Sequence, residues 1–124
     1  MHAVLAKYLD EQGWPEPRQR RMVDGLRTLQ AIASSSHRPL TYKKFADRVQ
    51  PGLASLATGK ILEDIGIFCN TAGWTNLTCF VVSASTGECS VGFTRGSDQD
   101  PAKARDDAWL LYAAYKTGIR VDDD

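Results

Sequence analysis

Residues 40–72, LTYKKFADRVQPGLASLATGKILEDIGIFCNTA, carry the reading that decides the fold. Thr41 stands where a hydroxyl can accept from the unpaired amides that open a helix. Tyr42, Phe45, Ala46 and Val49 then recur at helical spacing and predict a short helix over 41–50. Pro51-Gly52 interrupts it. A longer helix is predicted over 53–72, with Leu53, Leu56, Ile61, Ile65, Phe68, Cys69 and Ala72 on or near its buried side. Gly59 and Gly66 weaken that helix and allow a break near Gly59.

Upstream, Val4, Leu5, Tyr8 and Leu9 predict a first helix stopped at Gly13, followed by a corner at Trp14-Pro15. Pro17 can open a second helix, whose stripe is Met22, Leu26, Leu29 and Ala33. Three serines and His37-Arg38-Pro39 end it as a loop. Downstream, Leu77 to Ser83 is rich in β-branched and aromatic residues and reads as a strand covered on both faces. Ser85-Thr86-Gly87-Glu88 reads as a turn and Cys89 to Phe93 as a returning strand. After a polar loop over 94–99, Asp100 caps a final helix that Gly118 ends, and the Asp122-Asp123-Asp124 tail is expected to be loose.

The order over residues 17–93 is helix, short extended segment, helix, helix, strand, turn, strand. That is the order of a winged helix, with the helix-turn-helix pair at 41–50 and 53–72 and the wing tip at 85–88. The expected class is therefore α+β: winged-helix-like, helices packed on a two-stranded β-hairpin, with extra N- and C-terminal helices. A chain of 124 residues suits one such domain, 1–124.

Leu40-Thr41-Tyr42 with Phe45-Ala46, Ile61-Leu62 with Ile65, Leu77-Thr78 with Val81-Val82, Thr86-Gly87 and Gly92-Phe93 resemble a small domain of phage and mobile-element proteins. The Thr-Tyr element that opens a helix also resembles the winged-helix part of alkylguanine-DNA alkyltransferases. The Pro-Cys-His-Arg motif of those enzymes is missing from this sequence, so the resemblance implies a fold and not alkyl transfer.

Charge is unevenly placed although the net charge is zero. Residues 1–60 hold ten Lys/Arg against five Asp/Glu, and residues 61–124 hold five against ten. Helix 53–72 offers few base-reading groups and carries Glu63 and Asp64, which would repel phosphates. The better basic surface is Arg18, Arg21, Arg38, Lys43, Lys44 and Arg48, the candidate phosphate contacts. Its plain alternative is a set of solvated helix faces and salt-bridge ladders, such as Arg20, Asp24 and Arg27. Trp14 and Trp74 lie at predicted corners, where they would either anchor a partner or cap the core. Trp109 is expected to be at least half buried beside the last helix's core stripe.

Chemistry has few footholds. Cys69, Cys79 and Cys89 lack metal-ligand spacing and suit free, mostly buried thiols in a reducing compartment. Ser34 and His37 sit too close along one loop to suggest a nucleophile and its base. Asp98, Asp100, Asp106 and Asp107 miss the calcium-loop pattern. The sequence thus points to a cytoplasmic, non-enzymatic, winged-helix-like binding or regulatory protein of a phage or mobile element, without cofactor or metal, whose basic N-terminal half either contacts nucleic acid weakly and without sequence preference or faces solvent. One alternative is a protein-binding inhibitor or adaptor of a host complex, encoded by a phage or mobile element. A second is an enzyme of a kind that no motif names.

Overall fold

A computed structural model describes residues 1–94 and 99–123. Most of the predicted loop 94–99 lies outside them, as do Arg95 and Asp98. The chain is mainly helical, with a small two-stranded parallel sheet, an α+β arrangement. No described helix is long and apolar enough to cross a membrane.

Helix α1 (Ala3–Gln12) buries Leu5 and Leu9 and stops at Gly13, whose φ of 64° favours a residue without Cβ. Helix α2 (Glu16–Ser35) has a proline in its first turn and buries the stripe from Met22 to Ala33. Strand β1 (Leu40–Thr41) leads directly into α3 (Tyr42–Val49). The predicted cap is present: Thr41 Oγ1 accepts from the Lys44 amide at 3.3 Å. After Pro51-Gly52, α4 (Ser55–Ala72) runs unbroken through Gly59. It crosses α2 where Gly25 lies beneath Ile61 and Ile65; a Cβ there would come within 2.8 Å of the Ile61 side chain.

The β-hairpin over 77–83 and 89–93 is the main correction. Residues Leu77–Phe80 wind into a 3-10 turn, and only Val81–Val82 remain extended as β2. Asn76 supplies the reason, because its Oδ1 accepts from both the Thr78 amide (3.2 Å) and the Thr78 hydroxyl (2.6 Å). Strand β2 pairs in parallel with β1, in the register Leu40 with Val81 and Thr41 with Val82. The predicted partner strand contributes a single antiparallel bridge, Val82 with Cys89. Its remainder becomes the short helix α5 (Val91–Thr94). There Gly92 approaches α4 so closely that a Cβ on Gly66 would lie 2.1 Å from the Gly92 carbonyl oxygen.

Helix α6 (Pro101–Trp109) is capped by Asp100, which accepts from the Lys103 amide at 3.1 Å, and widens into a π turn at Leu110–Ala114. The following segment is strapped to α2. The Val121 amide donates to Gln30 Oε1 at 2.9 Å, Gln30 Nε2 donates to the Ile119 carbonyl at 3.0 Å, and Arg27 reaches Asp122. The tail expected to be loose is therefore held through Asp123, whose carboxylate accepts from the Arg120 amide at 2.9 Å. Phe45, Leu62, Ile65, Phe68, Phe80 and Tyr112 fill the centre of the core.

Candidate nucleic-acid interface

The six candidate cations do not form one surface. Arg38, Lys44 and Arg48 line one open groove of about 390 Å3, whose floor includes Ile32 and Leu40. Lys44 and Arg48 come from successive turns of α3, and Arg38 from the loop after α2. The pairing of β1 with β2 fixes where that loop enters α3. Among the described residues none of these three side chains makes an ion pair, although Asp47 shares the groove. Three cations against one carboxylate leave the groove positive.

Lys43 points to a neighbouring hollow of about 450 Å3 between α3 and the start of α4, with Tyr42, Leu53 and Ser55. Arg18 and Arg21 line a third hollow, against α4. There Arg18 is already engaged. Its Nε and Nη2 donate to the two oxygens of Asp64, each at 3.0 Å, and its guanidinium lies 3.9 Å from the centre of the Trp14 ring. Hydrogen bonding to Asp64 raises the Arg18 pKa above its already high ordinary value. Arg20 pairs with Glu16, and Arg27 with both Asp24 and Asp122, so much of the α2 charge follows the salt-bridge alternative.

Asp64 corrects a second expectation. Rather than facing a phosphate, it is 3% exposed and receives Arg18, with Lys60 3.7 Å away. Its position between Ile61 and Ile65, on the apolar face, was the available sequence signal. Leu56 corrects a third: placed near the buried side by spacing, it is 91% exposed on the first turn of α4. The outer face of this helix therefore presents Leu56 and Ile67 along with Lys60, whose charge is balanced by Glu63 and Asp64. That face suits base reading poorly.

Trp74 is not an exposed corner. It is 7% exposed and meets Phe68 edge-on with ring centres 4.9 Å apart, because α4 ends at Gly73 and turns the indole back into the core. Trp14 stays half buried, with Arg18 over its ring and Tyr8 edge-on at 6.0 Å. Trp109 is half buried too and meets His37 at 5.7 Å.

The cysteines are unpaired. Burial pushes Cys69 and Cys79 up to about 12, so both are protonated at neutral pH. Cys89 is only half buried; burial raises its pKa, and Arg105 opposes the rise. Ser34 donates to the Gln30 carbonyl at 2.8 Å and accepts from Arg120 at 3.1 Å, whereas His37 turns to Trp109. Asp100 and Asp107 are occupied by the α6 cap and by Lys103.

Compared with known proteins, the chain matches no family model, no curated protein and no solved structure.

Proposed function

We propose that this is a non-enzymatic, winged-helix-like binding protein that holds nucleic-acid phosphates in the groove beside α3. The carrying observation is the gathering of Arg38, Lys44 and Arg48 around one opening without an ion pair among the described residues. Unpaired cations on one surface can each displace a condensed counterion from a phosphate. The order α2, β1, α3, turn, α4 supports the winged-helix-like reading, with Gly52 at φ 79° in the turn. The wing is then reduced to the turn over 83–88, closed by the Ser83 amide donating to the Glu88 carbonyl at 2.9 Å. Because the outer face of α4 is apolar and charge-balanced, contacts would fix position on a backbone rather than read sequence.

Replacing Arg38, Lys44 and Arg48 together with alanine should weaken binding to DNA or RNA of any sequence. The slope of log affinity against log salt should become shallower by about 3, roughly one unit for each phosphate that is no longer neutralised. A wild-type protein that binds no nucleic acid even at low salt would end this reading. The second reading, a protein-binding inhibitor or adaptor, is favoured by the 91% exposure of Leu56 beside Lys60 on α4. It would then lead, with Leu56 as the first residue to change.

A further inference from the structure

The first turns of α2 and the first half of α4 flank a half-open pocket of about 300 Å3, separate from the α3 groove. Its walls are apolar, from Pro15, Pro17, Ala57 and Ile61, and its polar groups are Arg18, Arg21, Lys60 and Asp64. Asp64, 3% exposed, is satisfied by the bidentate contact with Arg18. That contact uses only part of the guanidinium, which carries five N–H donors in a fixed plane. Clamped by Asp64 and backed by Trp14, Arg18 is a pre-oriented donor that loses little freedom on meeting a ligand.

Arg21 is half buried and makes no ion pair among the described residues, and Lys60 stays 3.7 Å from Asp64. Three cations line the pocket with Asp64, and Glu63 lies 3.7 Å from Lys60 at its rim; the remaining excess, carried by Arg21, disfavours a metal ion and favours an anion. The apolar walls would be wasted on a small inorganic ion, and the cations on a neutral molecule. The volume lies at the lower end for small-molecule sites, which begin at roughly 300 Å3.

We infer that this pocket binds a small organic anion, one carboxylate or phosphate group on a compact apolar body such as a single ring. The head group meets Arg18, Arg21 and Lys60, whose planar and point charges suit either oxyanion. The body lies against Pro15, Pro17 and Ile61.

Backbone amide NMR spectra of the full chain, titrated separately with benzoate, phenyl phosphate, benzyl alcohol and inorganic phosphate, test the inference. Benzoate or phenyl phosphate should produce saturable shifts at the Trp14 indole and the Ala57 and Lys60 amides, with dissociation constants in the millimolar range. Benzyl alcohol and inorganic phosphate should bind distinctly more weakly. Arg21→Met with Lys60→Met should weaken the aromatic anion about tenfold or more, the effect of losing roughly one charge-assisted hydrogen bond. Both changes leave the Arg18–Asp64 contact in place; the exposed Lys60→Gln change alone, expected to weaken binding in the same direction, serves if the double variant fails to fold. The alanine replacements at Arg38, Lys44 and Arg48 should leave this binding intact, which separates it from the nucleic-acid reading. No saturable shift with either aromatic anion overturns the inference. So does benzyl alcohol binding as tightly as benzoate, or undiminished binding by the Lys60 and Arg21 variants.

Discussion

On α2, Arg18 is clamped by Asp64, Arg20 lies against Glu16 and Arg27 reaches Asp122. Around α3, Arg38, Lys44 and Arg48 meet no acid at ion-pair distance among the described residues. The two stretches have a similar density of basic residues in the sequence, four over 18–27 and four over 38–48. What separates them is where the carboxylates stand: α2 carries Glu16 and Asp24 and receives Asp64 from α4 and Asp122 from the C-terminal strap, whereas among the described residues the α3 groove is lined by one acid, Asp47. A basic stretch thus becomes either a fastening or a binding surface according to the elements that pack against it.

The largest expected effect breaks the fastening. Arg18→Met leaves the buried Asp64 with Lys60, 3.7 Å away, as its remaining ion-pair partner among the described residues. Removing one partner of a buried pair costs about 3 kcal/mol or more, because the remaining charge stays desolvated. Arg18 is itself 36% exposed, which places the loss at the lower end of that range. Urea denaturation should show it, while affinity for nucleic acid in the folded range stays near wild type. The reverse pattern, an unchanged midpoint and weakened nucleic-acid binding, would make Arg18 a phosphate contact and erase the distinction between the two stretches.

Glycines of α4 sharpen the same lesson inside one helix. Gly59 and Gly66 both look like helix weaknesses, yet a Cβ on Gly59 meets nothing within 4 Å. A Cβ on Gly66 would strike the Gly92 carbonyl at 2.1 Å, and that contact is backbone, which cannot rotate away. Gly66→Ala should cost about 2–3 kcal/mol as an overpacked crossing, with α5 displaced. Gly59→Ala should be stabilising by up to about 1 kcal/mol through helix propensity. Thermal melts of both variants check this, and equal melting temperatures would remove the close α4–α5 crossing.

Local signals were legible and non-local ones were not. Gly13, Pro17, Thr41 and Asp100 act within a turn of their own position, and each does in the fold what its chemistry suggests. The run Leu77–Val82 is apolar nearly throughout and is buried throughout, so periodicity could not separate strand from turn. Asn76 decided it by winding the backbone around its own side chain. Residues 91–94 are helical where Gly92 meets Gly66, an approach between positions far apart in the chain. For the candidate site, residue types indicated the cations, but the division of Arg18 from Arg38, Lys44 and Arg48 depends on Asp64 turning inward.

The smallest expected effect comes from the other α2 fastening. Arg27 Nη2 lies 2.7 Å from Asp122 Oδ1, and both side chains are well exposed. Hydrogen bonding to Arg27 holds the Asp122 carboxyl below its ordinary value, so the pair adds stability at neutral pH. A depressed carboxyl loses that contribution as pH falls through its folded-state value, after which both states carry the proton. Asp122→Asn should therefore lower the melting temperature only slightly at about pH 7 and not at all at about pH 2, since exposed pairs are screened by solvent. The strap itself should survive, because the Val121 amide still donates to the buried Gln30 side chain at 2.9 Å. Melts of wild type and variant at the two pH values make the comparison. A loss at neutral pH as large as that of Arg18→Met would mean that exposure does not grade these fastenings, and burial of Asp64 would no longer explain why Arg18 is held.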